Sequence, residues 1–202
     1  MKIGIMGGTF DPVHIGHLIV AEEARYQLGL DKVVFLPAGR PWFKSDRIVT
    51  EGKVRLEMIK SAIKDNRLFE VSDLELEREG PTYSIDSISE LREQFGGAEL
   101  YFLIGLDALA EIHRWKHPDE LIGMCQVIGL TRPGYTDFDW SNIKKRIAGA
   151  SQKIKIIQVS QIGVSSGDIR MMVQNGISVR YLVPDAVVRY IEEKGLYKLQ
   201  VT

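Results

Sequence analysis

Apolar, strand-like runs alternate with helical patterns along this whole chain, and that alternation limits the fold more than any other feature. Lys2 to Met6 reads as a short buried strand. Ile15 to Leu28 reads as a helix, with Leu18, Ala21, Ala24 (or Arg25) and Leu28 at helical spacing and Gly29 as its stop. "DKVVFLPA" predicts the next strand, and "GRPWFKSDRIV" an irregular loop. A helix follows at about Glu51 to Lys64, with Leu56, Ile59 and Ile63 on one face. Phe69 to Asp73 is a strand and "REGPTYS" a turn. Ser84 is placed to cap the helix that carries Ile85, Ile88 and Leu91. "ELYFLIG", "CQVIGLT" and "KIKIIQV" are apolar enough for strands of a sheet interior. "SSGDIRMMVQNG" and "PDAVVRYIEEKG" are helices with Ser or Pro at the start and Gly at the stop.

Strand and helix at this spacing argue for an α/β fold of the Rossmann-like, doubly wound kind: a mainly parallel sheet with helices on both faces. With no repeat, low-complexity tract or long linker, residues 1–202 read as a single domain. A chain of this length buries roughly 70% of its unfolded surface, enough for a substantial core. Lys and Arg total 26 against 27 Asp and Glu, a formal charge of −1, so no global field draws the protein to nucleic acid or to a membrane. An anionic ligand must be held by local groups. One cysteine, Cys125, excludes an internal disulfide, and the apolar stretch Ile3 to Met6 is too short for a leader or a membrane span. The expectation is a cytoplasmic protein whose oligomeric state, homo-oligomers included, stays open.

Ligands of such sheets bind beyond the carboxyl ends of the strands. There, after the first strand, stands "GGTFDPVHIGH". It supports three readings. One is a tight loop in which Gly7 and Gly8 serve only the turn. Another is a metal site, with His14 and His17 joined by His113, His117 or Cys125. The spacing of His113 and His117 would put two imidazoles on one helix face, but Pro118 follows at once and the zinc-protease glutamate is missing. The expectation is no protein-built metal site. The third reading is a phosphate site. Gly7 and Gly8 let backbone approach an anion, the following helix offers free N–H groups and its positive end, and both histidines can donate to phosphate oxygens. Gly16 removes a side chain that would crowd them. Neither G-x-G-x-x-G nor the Gly-Lys-Ser/Thr of a P-loop is present.

"GGTFDPVHIGHL" resembles the signature of the H-x-G-H nucleotidyltransferase superfamily. "GPTYSIDSI", "YFLIGLDAL", "HRW", "TRPGY", "VSSGDIR" and "VRYLVPDAVVRYIEEKGLY" resemble, in order and spacing, segments of the bacterial nicotinate-nucleotide adenylyltransferases, from Lys2 to about Tyr197. The resemblance implies adenylyl transfer from ATP, accompanied by Mg²⁺, to nicotinate mononucleotide. The products are nicotinate adenine dinucleotide, late in NAD synthesis, and pyrophosphate.

It also implies residue roles. His14, His17 and Arg170 would act on the ATP phosphates and the transition state. Gly8, Thr9 and Phe10 would belong to the ATP-binding loop, which Asp11 either orients or merely turns. Ser165 and Ser166 would cap a helix and bind phosphate, although Gly167 stands where the family has Thr. Gly105 and Asp107 would meet the adenosine ribose, against the plainer reading of Asp107 as a helix-capping residue. On the mononucleotide side the resemblance implies Lys44, Thr82, Tyr83, Trp115 and Arg132, with Trp115 stacking on the cationic pyridine ring. Trp42 and Phe43 depart from the family's Pro and His beside Lys44. By composition alone Trp115 is a half-buried core residue and Arg132 as readily forms a surface ion pair.

Rival functions are a related transferase acting on phosphopantetheine or using CTP, and a nucleotide sensor without catalysis. The first lacks "TYSIDSI" and "HRW" as a set. The second sits poorly with intact His14, His17 and Arg170, and turnover separates it from an enzyme. The charge balance and the lack of a basic run speak against a nucleic-acid binder.

Overall fold

The computed structural model of the chain describes residues 1–41, 49–131, 138–160 and 162–198. In chain order the elements are β1 (Lys2–Gly8), α1 (Ile15–Leu28), β2 (Lys32–Pro37), β3 (Arg40–Pro41), α2 (Gly52–Ile63), β4 (Phe69–Val71), β5 (Pro81–Thr82), α3 (Ser84–Gln94), β6 (Glu99–Gly105) and α4 (Leu106–Ala110). They continue with α5 (Pro118–Met124), β7 (Gln126–Thr131), α6 (Ser141–Arg146), α7 (Ala150–Lys153), β8 (Ile154–Gln158), α8 (Ser166–Gln174) and α9 (Asp185–Glu193). Six strands form one sheet in the order β4-β2-β1-β6-β7-β8, and every pairing in it is parallel. The chain starts at the centre, steps outward to β4, then returns past β1 and steps the other way. The reversal between β1 and β6 opens a crevice at the carboxyl edge of the sheet, as in the Rossmann-like fold.

Alternation along the strands explains why both faces are covered. Ile3, Ile5, Val34, Leu36, Phe102 and Ile104 point to one face and meet Ile85, Ile88 and Leu91 of α3, Leu121 of α5 and Ile143 of α6. Met6, Val33, Phe35 and Leu103 point to the other and meet Ala21 and Ala24 of α1, Met58 and Ile59 of α2, Ile169 of α8 and Val187 and Ile191 of α9. Successive residues of one strand thus feed two apolar cores.

Strand and helix bounds differ from the sequence expectation by a residue or two, with some real departures. Ser84 is the first residue of α3; Tyr83 occupies the cap position, and no side chain caps that end. β3 and β5 pair in a short parallel bridge within segments that read as a loop and a turn. Short helices α4 and α5 lie between β6 and β7, and α6 and α7 between β7 and β8, where no periodic pattern had room to show; β8, whose run KIKIIQV reads as an interior strand, is at the sheet edge.

Candidate active site

The loop from Gly8 to His14 joins the two central elements β1 and α1. Phe10 adopts φ 51, and its ring lies over Gly8, where an added Cβ would stand 2.8 Å from the ring. The ring is buried and touches His17 and Phe35, so Phe10 anchors the loop in the core. His14 occupies the cap position of α1, and the rings of His14 and His17 stack at 3.7 Å. His17 Nδ1 accepts the backbone N–H of His14 at 3.2 Å, which leaves the proton of the neutral ring on Nε2. His14 is 7% exposed and its Nδ1 has no partner among the described residues. A Cβ on Gly16 would lie 3.0 Å from that nitrogen, so a side chain there would press on the His14 ring of the stack.

Burial pushes the His14 ring down to about 4. Burial, and secondarily the charge His14 would carry, push His17 down to about 3. Both rings are therefore neutral at pH 7 and act as hydrogen-bonding groups, with fixed positive charge supplied from elsewhere.

Asp11 ties this loop to distant parts of the chain. Its carboxylate is 2% exposed and accepts from Tyr197 Oη at 2.7 Å and from the Thr50 N–H at 3.3 Å, while its carbonyl accepts from Arg170 Nη1. It orients the loop through long-range bonds and does more than turn it. Arg55, 2% exposed, donates to the carbonyls of Thr9 (2.7 Å), Ala38 (2.7 Å) and Thr50 (2.8 Å). Arg55 and Glu75 were missed by sequence reasoning. Arg55 had a signal: it lies four residues before Ile59 and eight before Ile63, at an apolar position of an amphipathic helix.

The start of α8 faces the same loop. Ser165 caps the helix by accepting from Asp168 N at 3.1 Å, and its hydroxyl donates to Asp168 Oδ2 at 2.7 Å. Ser166 donates to the Pro12 carbonyl at 2.8 Å. Both hydroxyl protons and the Asp168 N–H are engaged within the protein, so the N–H groups of Ser166 and Gly167 are what the first turn of α8 has to offer an anion there. Arg170 pairs with no carboxylate among the described residues. A Cβ on Gly167 would meet Ser165 Oγ at 3.5 Å and Arg170 Nη2 at 3.6 Å, which is ordinary contact.

On the other side of the β1 end lies a cavity of about 380 Å³, within the usual range for a small-molecule site. Gly8, Thr82, Tyr83, Gly105, Asp107 and Trp115 are among its lining residues. Trp115 packs edge-on against Phe102, at once part of the core and a wall of the cavity. Lys116 Nζ sits 4.7 Å from the centre of the Tyr83 ring and pairs with Asp86 at 3.0 Å. Gly105 and Asp107, expected beside the ATP ribose, share this cavity with Thr82, Tyr83 and Trp115. His14, His17, Ser165, Ser166 and Arg170 are not among its lining residues; Ser166 and Arg170 instead bond the loop carbonyls of Pro12 and Asp11. Glu75 also lines the cavity, buried, with its oxygens accepting from Ser87 Oγ (2.7 Å) and Gly39 N (3.3 Å). Nothing in the sequence pattern marked it.

Lys44 and Arg132, with Trp42 and Phe43, lie outside the described residues. His113 and His117 do not share a helix face. His113 belongs to the 3-10 turn Ile112–Arg114, whereas His117 caps α5 with φ 47 beyond the extended Trp115. Among the described residues no cluster of three or more His, Cys, Asp or Glu side chains could hold a metal ion, and no helix is long and apolar enough to cross a membrane.

Comparison with known proteins meets this geometry. A family model described as cytidylyltransferase-like matches residues 5–172. The chain is 43% identical to a "Probable nicotinate-nucleotide adenylyltransferase" of Desulfitobacterium hafniense (strain Y51), over 98% of this chain and 96% of that one. It is 44% identical to a protein of the same description from Thermoanaerobacter sp. (strain X514), over 98% and 95%. Its fold is shared with the Plasmodium falciparum nicotinic acid mononucleotide adenylyltransferase complexed with NaAD, at a TM-score of 0.75 and 20% identity over 97% of each chain.

Proposed function

The chain belongs to the cytidylyltransferase-like family and, within it, to the nicotinate-nucleotide adenylyltransferases, and from that premise we propose that it joins ATP and nicotinate mononucleotide into nicotinate adenine dinucleotide with release of pyrophosphate. One observation carries the reading at the level of the site. The cavity walled by Tyr83 and Trp115 reaches Gly7 and Gly8, at the foot of the loop that presents His14 and His17. A mononucleotide ring seated against Trp115 can therefore direct its phosphate toward the histidine corner.

A 5′-phosphate oxygen of the mononucleotide attacks the α-phosphorus of ATP. One P–O bond forms, the bond to the β-phosphate oxygen breaks, and its electron pair leaves with pyrophosphate. The nucleophile is already an anion, so the protein's task is alignment and charge stabilisation. His17 offers Nε2–H, and His14 brings a second neutral ring stacked on it. Arg170 and the positive ends of α1 and α8 supply positive potential for the leaving phosphates, with the Gly16, Ser166 and Gly167 N–H groups open to them; the N–H groups of Ile15, His17 and Asp168 are held by Leu182, His14 and Ser165. Arriving phosphate charge would raise both depressed histidine pKa values and favour shared protons. Mg²⁺ enters as part of the ATP substrate, held by phosphate oxygens and water as is usual for this ion. Lys44 and Arg132 complete the phosphate contacts in this reading. Buried Cys125 and the absence of other cysteines suit a reducing cytoplasm.

Selection of nicotinate over nicotinamide follows from donors. The start of α3 has no side-chain cap, and Ser84 and Ile85 of its first turn line the cavity. Their N–H groups suit a carboxylate, which only accepts. The buried acceptor Glu75 is already occupied by Ser87 and Gly39. Two unmatched donors at about 1–3 kcal/mol each give on the order of a hundredfold preference or more. Pyrophosphate release from MgATP, measured against both mononucleotides, tests the proposal. Release with nicotinate mononucleotide at a much higher kcat/KM is expected. No release with either would end the adenylyl-transfer reading, and equal efficiency would end only the selectivity. In the same assay Asp107→Ala tells which substrate that carboxylate serves, by whose KM rises.

A further inference from the structure

The opening loop is held from the far end of the chain. At the close of α9, Gly195 is left-handed at φ 60, its N–H bonds the Glu192 carbonyl, and the Leu196 N–H returns to the Ile191 carbonyl. Tyr197 follows with φ 61, a region that residues bearing a Cβ rarely adopt and keep only where surroundings enforce it. This hook carries the Tyr197 hydroxyl back to 2.7 Å from Asp11 Oδ1, across 186 residues of sequence. Burial and the Asp11 carboxylate raise the phenol's pKa, so it remains a donor at any physiological pH. The other Asp11 oxygen takes the Thr50 N–H, and the Asp11 carbonyl takes Arg170. Three residues on stands His14.

We propose that Tyr197 is a positioning residue: its hydroxyl fixes Asp11, and through Asp11 it sets the placement of Arg170 and of the His14–His17 pair. The inference rests on the proposed adenylyl transfer for its kinetic consequence but on geometry alone for its effect on the loop. A simple staple would contribute stability and leave the chemistry as it is. A positioning role must show in the chemical step.

Tyr197→Phe keeps the ring and removes one hydroxyl. With MgATP and nicotinate mononucleotide, kcat should fall roughly 10–100-fold, as expected for reacting groups displaced by a fraction of an ångström to an ångström, while both KM values stay within about threefold. Asp11→Asn should produce a loss of similar size, and the double variant should fall no further than the weaker enzyme of the two. Without substrates, the NMR titration midpoints of His14 and His17 should move upward in Tyr197→Phe as water gains access to the corner. A lowered melting temperature with unchanged kcat and unchanged histidine midpoints would overturn the proposal. So would losses that multiply in the double variant, or a rise in KM at constant kcat. If the unaltered protein releases no pyrophosphate, the function reading fails by itself, and the histidine midpoints still decide the role of Tyr197.

Discussion

Two strand-to-helix corners lie side by side at the carboxyl edge of the sheet, and they are built in opposite ways. The corner from β1 to α1 is closed. Phe10, Asp11, Pro12, Val13 and His14 are all buried, and Arg55, Thr50, Tyr197, Ser166 and Arg170 reach in from three other parts of the chain to hold it. The corner from β6 to α4 is open. Gly105 and Asp107 are exposed, and no side-chain bond ties either to a distant element among the described residues. Both corners border the cavity. The difference separates two tasks. Under the proposed adenylyl transfer, the closed corner would hold preorganised the groups that meet developing charge, and the open one would leave free those that admit and release a ligand.

The largest effect should come from the clamp of the closed corner. Arg55→Leu strands the carbonyls of Thr9, Ala38 and Thr50 and removes the cation beside buried Asp11. A loss of roughly 3–5 kcal/mol in urea unfolding is expected. A loss under 1 kcal/mol would mean that the corner is held without it.

His17 sharpens the contrast next. Its replacement by Ala or by Asn should each cut turnover about 10²–10³-fold, through loss of the Nε2–H donor. From the sequence alone, His17 is expected to act in the reaction and its replacement to leave folding nearly unchanged. The structure differs, because Nδ1 accepts the His14 N–H. His17→Ala should therefore melt lower by the equivalent of about 0.5–2 kcal/mol, while Asn, whose oxygen can replace Nδ1, should melt closer to the parent. Near-normal turnover in either variant would remove His17 from the chemistry.

The same glycine-to-alanine change can be made at both corners. At Gly8 the new methyl would press on the Phe10 ring at 2.8 Å, and a cost of about 1–3 kcal/mol is expected. At Gly105 nothing lies within 4 Å, and the change should stay within about 0.5 kcal/mol. Equal costs would erase the distinction between closed and open.

Acid gives the most gradual test. His14 and His17 have folded pKa values, about 4 and about 3, below the ordinary 6.5. Below pH 6.5 the unfolded chain thus binds more protons than the folded one. The stability these rings permit is present above 6.5 and is lost as pH falls toward their folded values. Each adds at most about 1.4 kcal/mol per pH unit to the slope. His17→Asn should flatten unfolding free energy between pH 6.5 and 4 by up to that amount, and parallel curves for parent and variant would contradict the burial of the ring.

What was legible in the sequence follows from how local its causes are. β2 and β6 announce themselves because apolar residues crowd into runs buried on both faces. α1 announces itself through Ala21, Ala24 and the Gly29 stop. α6 and α7 do not, because six and four residues are too few for a 3.6-residue period to show. In the site, the pairing of His14 with His17 across Gly16 was readable because all three lie within one turn. The resemblance to the adenylyltransferases assigned Ser165 and Ser166 to phosphate, but it could not reveal that Pro12, 154 residues from Ser166, receives one of those hydroxyl protons. Asp107 could be matched to a motif, yet its place in the cavity of Thr82, Tyr83 and Trp115 depends on β1 and β6 being neighbours.

The sequence by itself determined the alternation of strand and helix, the two-sided cores, the glycine-flanked histidines and the family, since each is written in local pattern or in an ordered set of motifs. Only the tertiary structure decided the tautomer of His17, the neutrality of both rings, the clamp of Arg55 and the hook from Tyr197 to Asp11. These depend on desolvation and on hydrogen bonds between segments far apart in sequence, and neither exists until the sheet has brought the segments together.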